Sequence, residues 1–310
     1  MIRVPGFWTT CLLVCMSTII CSQAGDRGKT LQAQVKSVAG TCQYGVDVTT
    51  NGYLCVRTIY NGAAAIEVRN LENGDLVEVV PLPKWTFLQT MWDGVVMMTR
   101  RGTLWRYRVG SGQVESEPLP GATRVVTRGD VLCWVLEGEH EHEAVACRDE
   151  NGRIGRMPET MLEPGEKFFT MHLAVSEDGR FVVVAILQRE AEEGEEEGKV
   201  GEDERDVYAV WDRQSGREWR VATEARGELA AVFSRGVAVS IERRFRDCKG
   251  KLQNPGRVRL WNVETGDVLK TIEVPVWMWS FVDGRLFLME LPDDHASGDI
   301  EMKVRELVIK

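Results

Sequence analysis

Residues 210–217 read VWDRQSGR. The stretch is the end of an apolar run, closed by a Trp-Asp dipeptide, and a polar turn with glycine follows. Upstream, the turn Glu177-Asp178-Gly179 comes just before residues 181–186, which read FVVVAI. Glycine suits both turns because it tolerates the positive φ that tight hairpins demand. Short β-branched runs between such turns predict strands that are buried on both faces of stacked sheets.

The same unit recurs along the chain. Polar turns like the one at 210–217 carry glycine at positions 74, 112, 152, 216 and 266, separated by 38, 40, 64 and 50 residues. A second series of turns divides each unit again, at residues 50–52, 92–94, 128–130, 177–179, 234–236 and 282–284. Two turns per unit imply four strands, and a period of about 40 residues is typical of a propeller blade. The sequence therefore predicts an all-β propeller.

Six units can be delimited, at residues 42–81, 84–119, 121–160, 168–224, 228–275 and 277–310. The last unit ends after its third strand, and residues 32–38 offer a lone β-like stretch before the first complete unit. We expect that stretch to supply the missing fourth strand, which closes the ring and removes an exposed sheet edge. Seven blades are the alternative if residues 153–168 contain further strands.

Several of these residues carry a resemblance to known repeats. Residues 173–180, LAVSEDGR, resemble the first-turn signature of WD40 repeats, and Trp211-Asp212 resembles their closing dipeptide. Trp261-Asn262 is a near copy, whereas the Gly-His dipeptide of that family is missing throughout. Residues 215–219, SGREW, also resemble the repeats of quinoprotein-like propellers. The resemblance implies the fold of nearly the whole chain, but no particular function, because propellers host many functions.

Composition and the N-terminus limit the compartment and the partners. The chain has 310 residues, 38 basic and 47 acidic, and its net charge of −9 argues against a dedicated nucleic-acid binder. Residues 1–24 read as a secretory signal peptide, with Arg3, an apolar run over 7–21 and Ala24 before the predicted cleavage. Residues 25–310 would then form a single propeller domain without a membrane span, secreted or periplasmic. The alternatives are a retained anchor, a buried N-terminal strand, and a cytosolic WD40 scaffold in which the apparent signal is fortuitous.

Cysteine spacing adds one predicted cross-link. Cys133 and Cys147 flank a charged loop at equal distances, so a symmetric hairpin places them opposite each other, where an oxidising compartment permits a disulfide. If Asn51-Gly52 is a two-residue turn, Cys55 faces Val48 instead of another cysteine.

Loop lengths point to one face of the predicted ring. The loops between second and third strands share a face with the loops between blades, and they lengthen in blades 3 to 6, at 137–143, 188–206, 242–256 and 292–298. Long loops on a rigid scaffold often bind partners, although insertions are also tolerated at little cost. The predicted partner-binding residues are Glu192, Glu193, Glu195, Glu196, Arg243, Arg244 and Arg246. A solvated acidic loop beside a basic loop that neutralises it is the alternative.

Candidate metal ligands and catalytic motifs are sparse. His140 and His142 point the same way in an extended segment, and His295 is expected on the same face, so the three are candidate metal ligands. A solvated hairpin tip is the alternative, because no third ligand is fixed by the sequence. Phosphate-binding, nucleophile-elbow and HExxH motifs do not occur, so we expect no catalytic residue and no cofactor. The sequence favours a non-catalytic protein-binding platform outside the cytoplasm over a metal-dependent six-bladed hydrolase.

Overall fold

The computed structural model describes residues 33–36, 46–60, 63–82, 90–100, 102–111, 113–128, 130–136, 144–157, 161–163, 166–188, 206–243, 245–246, 252–254, 256–276, 278–290 and 299–308. The strands of these ranges form six four-stranded sheets and one two-stranded sheet. Every strand pair within them is antiparallel. Among the same ranges, none of the structure is a helix with the length and apolar character that crossing a membrane requires.

The first three blades follow one another in the chain. Blade 1 contains β2 (Val46–Val48), β3 (Tyr53–Tyr60), β4 (Ala63–Asn70) and β5 (Leu76–Pro81). Blade 2 contains β6 (Thr90–Trp92), β7 (Val95–Arg100), β8 (Thr103–Arg108) and β9 (Val114–Pro118). Blade 3 contains β10 (Ala122–Arg128), β11 (Val131–Leu136), β12 (Ala144–Arg148) and β13 (Ile154–Arg156).

The last three blades complete the set. Blade 4 contains β14 (Glu166–Val175), β15 (Phe181–Gln188), β16 (Asp206–Asp212) and β17 (Arg217–Thr223). Blade 5 contains β18 (Glu228–Phe233), β19 (Val237–Glu242), β22 (Arg257–Asn262) and β23 (Val268–Glu273), with the small pair β20 (Phe245–Arg246) and β21 (Leu252–Asn254) between its second and third strands. Blade 6 contains β24 (Met278–Val282), β25 (Arg285–Glu290), β26 (Asp299–Val308) and β1 (Ala33–Lys36).

The ring is closed by the N-terminal strand. β1 pairs antiparallel with β26, and Ala33 lies opposite Met302. The first strands of the blades are neighbours in the order β2, β6, β10, β14, β18, β24 and back to β2. The prediction of a six-bladed propeller closed by residues near the N-terminus is confirmed. The stretch that allowed a seventh blade contributes β13 to blade 3 and the start of β14 to blade 4.

The hydrophobic core is divided among the junctions between blades. The buried side chains of the described residues form six clusters, and each lies between two neighbouring blades, including the pair formed by blades 6 and 1. Such a core needs strands with apolar side chains on both faces. The apolar β11 and the run of valines in β15 meet this need, since Val135, Val183 and Val184 are all fully buried.

The Trp-Asp dipeptide of blade 4 and the Trp-Asn dipeptide of blade 5 stabilise the fold in the same two ways. The aromatic ring packs on the preceding blade: Trp261 is fully buried and lies 5.0 Å, between ring centroids, from Tyr208. The following polar residue accepts hydrogen bonds from the turn. Asp212 Oδ1 accepts from Gln214 N at 3.0 Å, and Asn262 Oδ1 accepts from Glu264 N at 2.7 Å. The dipeptide therefore joins adjacent blades and closes its own hairpin.

Two registers involve the cysteines. β11 and β12 place Cys133 directly opposite Cys147, and the structure joins the two sulfur atoms in a buried disulfide. The expected pairing of Cys55 with Val48 is wrong, since Cys55 lies opposite Asp47. The reason is the turn: Thr49 N donates to Tyr53 O at 2.8 Å, so the loop has three residues and ends in Gly52 at φ 80°.

Candidate functional site

The propeller has two distinct faces. We call the face that carries the hairpin turns between first and second and between third and fourth strands the turn face. The opposite face, which carries the loops between second and third strands and between blades, is the loop face. Four polar side chains meet near the axis toward the turn face, and we call them the axial cluster: Asp47, Arg128, Glu177 and Ser280.

Asp47 joins blades 1, 2 and 6. Its side chain is only 2% exposed, yet both oxygens have partners: Ser280 Oγ donates to Oδ1 at 2.9 Å, and Gly94 N donates to Oδ2 at 3.0 Å. Ser280 Oγ in turn accepts from Val48 N at 2.9 Å. Burial raises the pKa of Asp47 to about 6, although the two hydrogen bonds and the charge of Arg128 act in the opposite direction.

Arg128 crosses the axis. It ends the first strand of blade 3, yet its guanidinium carbon lies 5.8 Å from the centroid of the Phe281 ring in blade 6, on the opposite side of the ring of blades. Its Nη1 donates to Thr127 O at 3.0 Å, and its Nε has no hydrogen-bond partner among the described residues. Burial lowers the pKa of Arg128, and the charges of Asp47 and Glu177 oppose that shift.

Glu177 connects two blades that are not neighbours. It lies in the first turn of blade 4, and its Oε1 accepts a hydrogen bond from Gly284 N in the first turn of blade 6. Gly284 and the preceding Asp283 both have positive φ, 65° and 50°, as a two-residue type I′ hairpin requires. That turn directs the Gly284 amide toward Glu177 past blade 5. The side chains of Arg128 and Glu177 therefore fill the axis toward the turn face.

Within the axial cluster, both carboxylate oxygens of Asp47 have hydrogen-bond donors. A buried carboxyl with a raised pKa beside an arginine is an arrangement found in catalytic sites. In this protein, however, both oxygens of Asp47 accept hydrogen bonds from neighbouring blades, and its exposure is only 2%. A general acid or base must instead reach the proton of a substrate. The arrangement accordingly ties blades together at the centre of the ring.

A cleft of about 500 Å³ opens beside the axial cluster between blades 3 and 4. Charged side chains line it: Asp130, Asp149, Glu150, Glu177, Asp178, Arg180 and Arg213. Both arginines are engaged by the protein. Arg180 donates to Asp212 Oδ2 at 2.8 Å, and Arg213 donates to Gly179 O at 2.9 Å while lying 5.6 Å from the Trp211 ring centroid. The wall of this cleft is therefore mainly acidic.

The loop face carries exposed ion pairs at blade 5. Arg243, with a side chain 44% exposed, contacts Glu228 Oε2 at 2.9 Å and lies 4.8 Å from the ring centroid of Trp279 in blade 6. Next to it, Arg257 lies 3.6 Å from Glu242 and 3.8 Å from Glu273. Exposed ion pairs contribute little to stability, typically about 0–1 kcal/mol. These charges can therefore exchange their partners at low cost.

Most residues predicted from the sequence to bind partners or metal lie outside the described residues: Glu192, Glu193, Glu195, Glu196, Arg244, His140, His142 and His295. Of the others, Arg243 is exposed on the loop face and Arg246 lies in β20. Within the described ranges, three or more His, Cys, Asp or Glu side chains do not come together in a way that could hold a metal ion. The histidine and acidic-loop assignments remain predictions, as does the signal peptide over residues 1–24.

The sequence did not predict the axial cluster. Its four residues come from different blades, and the hydrogen-bonded pair Asp47 and Ser280 lies 233 positions apart in the chain. A shared position does exist, because all four lie in the first strand of a blade or in the turn that follows it. That position faces the axis of a propeller, so polar residues there were the available signal.

No protein-family model matches this chain, and no curated protein matches it. Among solved structures, the WD40 domain of Toxoplasma gondii coronin is 10% identical over 90% of this chain and 85% of that chain, with a TM-score of 0.47. The calcium-binding protein regucalcin from Agrobacterium tumefaciens str. C58 is 12% identical over 91% and 97%, with a TM-score of 0.45. Hydrazine synthase from Kuenenia stuttgartiensis is 11% identical over 82% and 66%, with a TM-score of 0.41. The chain is a six-bladed β-propeller, as its own sheets show.

Proposed function

We propose that this propeller is a non-catalytic protein-binding platform that acts outside the cytoplasm, and that its partner binds the loop face at blades 3 to 6. The observation that carries the proposal is the filled axis. Asp47, Arg128 and Glu177 occupy the centre of the ring toward the turn face, and the two carboxylates accept hydrogen bonds from other blades. The axial cluster thus holds the blades together, and the outer faces of the ring are left to bind a partner.

The charges of the loop face support the choice of surface. Arg243 and Arg257 are held by exposed ion pairs, and Arg243 covers the Trp279 ring. A partner that offers carboxylates can replace Glu228 without leaving Arg243 unpaired. Release of Arg243 would also uncover an indole, and aromatic side chains are enriched in protein interfaces.

The compartment rests on two observations of different kinds. The first 24 residues have the composition of a secretory signal peptide. The second is the buried disulfide between Cys133 and Cys147 in blade 3, since disulfides persist mainly in oxidising compartments. Intact mass of the chain recovered from its host tests this part. A mass that begins at Gly25 outside the cytoplasm, with about 2 Da gained on reduction of one disulfide, supports export. A full-length reduced chain in the cytosol contradicts it.

Charge reversal on the loop face tests the binding surface. The purified mature chain, immobilised, is incubated with the extracytoplasmic fraction of its host, and captured proteins are compared between variants. Reversal of Arg243, Arg244 and Arg246 to glutamate, or deletion of residues 190–204, is expected to abolish capture of a specific partner. The matched control is reversal of Arg153 and Arg217, two arginines beside the turns of the opposite face.

The outcomes separate binding from catalysis. Capture that survives reversal of the loop-face arginines but is lost in the turn-face control would show that the wrong face was chosen. Metal analysis of protein purified without a His-tag addresses the alternative hydrolase, because such an enzyme requires a stoichiometric metal ion. Stoichiometric zinc or calcium that is lost on replacing His140 and His142 would contradict the non-catalytic proposal.

A further inference from the structure

A second cleft, of about 170 Å³, opens on the turn face between blades 2 and 3. It lies below the range of about 300–1,000 Å³ that is common for drug-sized ligands, so it suits a small group of a few heavy atoms. It combines apolar and polar side chains, and the ones that matter for recognition are Trp92, Val95, Met97, Arg106, Arg108 and Glu115. The cleft is separate from the axial cluster and from the loop face.

The cleft contains hydrogen-bond donors that the protein leaves without acceptors. Trp92 Nε1 is buried and has no hydrogen-bond partner among the described residues. An unsatisfied buried donor is costly, so an acceptor supplied from outside gains the full bond. The exposed guanidinium of Arg108 forms no hydrogen bond or ion pair within the described part of the chain. Arg106 contacts Glu117 through Nη2 and is otherwise open toward the cleft.

The other side chains that line the cleft limit the chemistry of the ligand that carries this acceptor. Val95 and Met97 belong to β7, and both pack into the hydrophobic cluster between blades 2 and 3. Val95 is partly exposed and offers an apolar wall next to the indole of Trp92, whereas Met97 is 1% exposed and supports that wall from the core. Glu115, directly opposite Arg106 in the β8–β9 pair, is exposed at the rim and disfavours a ligand with a second negative charge. The lining therefore selects a single anionic acceptor on a short apolar stem.

We propose that the cleft between blades 2 and 3 binds a carboxylate carried on a short apolar stem. The carboxylate accepts hydrogen bonds from Trp92 Nε1 and Arg108, and the stem lies against Val95. A planar carboxylate matches the fork of an arginine better than a spherical anion does. Such a group is supplied either by a free short-chain acid or by a glutamate side chain of a peptide. The inference goes beyond the protein-binding function proposed above and does not depend on it, because the two surfaces lie on opposite faces.

Fluorine NMR on the mature chain labelled with 5-fluorotryptophan locates the site. The Trp92 resonance is assigned by its disappearance in Trp92→Phe. We expect butyrate to shift that resonance saturably, and the neutral, similarly shaped butyramide to leave it in place. An acetylated, amidated glutamyl tripeptide forms the second arm. Tighter binding of butyrate assigns a free acid, and tighter binding of the tripeptide assigns an acidic side chain.

Two variants test the donors through saturation transfer to butyrate. Arg108→Gln is expected to weaken binding about tenfold or more, and Trp92→Phe, which keeps a ring but removes the N–H, by several fold. The control is Arg153→Gln, which removes an exposed arginine from a turn of blade 3 and should leave affinity unchanged. The proposal is overturned if neither probe shifts the Trp92 resonance at 100 mM, if butyramide acts like butyrate, or if Arg108→Gln binds as tightly as the unaltered chain.

Discussion

Asp47 joins three blades through a carboxyl group that is 2% exposed, and asparagine would keep its shape while removing its charge. The amide oxygen of asparagine can accept from Gly94 N, and its NH₂ group can donate to Ser280 Oγ. The change therefore isolates the cost of placing a negative charge at the junction of blades 1, 2 and 6.

The size of that cost follows from the pKa of Asp47. Burial raises this pKa from 3.8 to about 6 in the folded chain. The folded state therefore holds its proton more tightly than the unfolded state, and the stability from this group is fully present below pH 3.8 and is lost as pH rises through 6. A shift of this size corresponds to roughly 3 kcal/mol, of which about 2 kcal/mol falls between pH 4.5 and pH 7.5.

Urea unfolding of the unaltered chain and Asp47→Asn, followed by tryptophan fluorescence at pH 4.5 and pH 7.5, measures the effect. We expect the free energy of unfolding of the variant, relative to the unaltered chain, to rise by about 2 kcal/mol between the two pH values. The control is Asp130→Asn, which makes the same change at an exposed carboxyl on the turn face. If the difference in unfolding free energy between Asp47→Asn and the unaltered chain stays constant with pH, the pKa of Asp47 is not raised in the folded chain.

Further predictions concern the junctions between blades. Gly179→Ala should destabilise the fold by about 1–3 kcal/mol more than Gly52→Ala in thermal unfolding, because both glycines have positive φ but only at Gly179 would a Cβ atom meet another side chain, 2.1 Å from Val131 Cγ2. Equal losses would contradict the packing argument. Asp212→Asn should lower the unfolding temperature at pH 7. Hydrogen bonds from Arg180 lower the pKa of Asp212 to about 2, so the deficit should narrow as pH falls from about 4 toward 2; a deficit that is constant with pH would argue against this pairing. Replacing both cysteines of the blade-3 disulfide with alanine should cost about 3 kcal/mol in urea unfolding and abolish any effect of reductant. An unchanged midpoint would mean that the cross-link does not form.

The repeating parts of this fold could be predicted from the sequence because each blade uses similar strands and turns. Trp211-Asp212 and its copy at Trp261-Asn262 mark the third strand and its turn, since one residue packs on the preceding blade and the next closes the hairpin. The closing of the ring by an N-terminal strand could also be predicted. A unit that ends after its third strand leaves an edge, and residues near the N-terminus were the available partner.

Other features depended on information that no single stretch contains. A three-residue turn replaced the expected two-residue turn at Gly52, and this single residue moved Cys55 from Val48 to Asp47. The axial cluster depends on four blades meeting at one point, so its contacts join residues far apart in the chain. Long insertions such as the one in blade 5, where β20 and β21 form a small hairpin, have no repeat to be compared with.

Photo-crosslinking in the host tests whether a partner binds the loop face outside the cytoplasm. Benzoylphenylalanine is placed either at Arg243, exposed on the loop face, or at Ile154, 59% exposed at the start of β13 beside the turn face. We predict a single defined adduct from the Arg243 position, present only in the exported fraction, and no adduct from Ile154. Adducts from Ile154 alone, or adducts confined to the cytosol, would contradict this prediction.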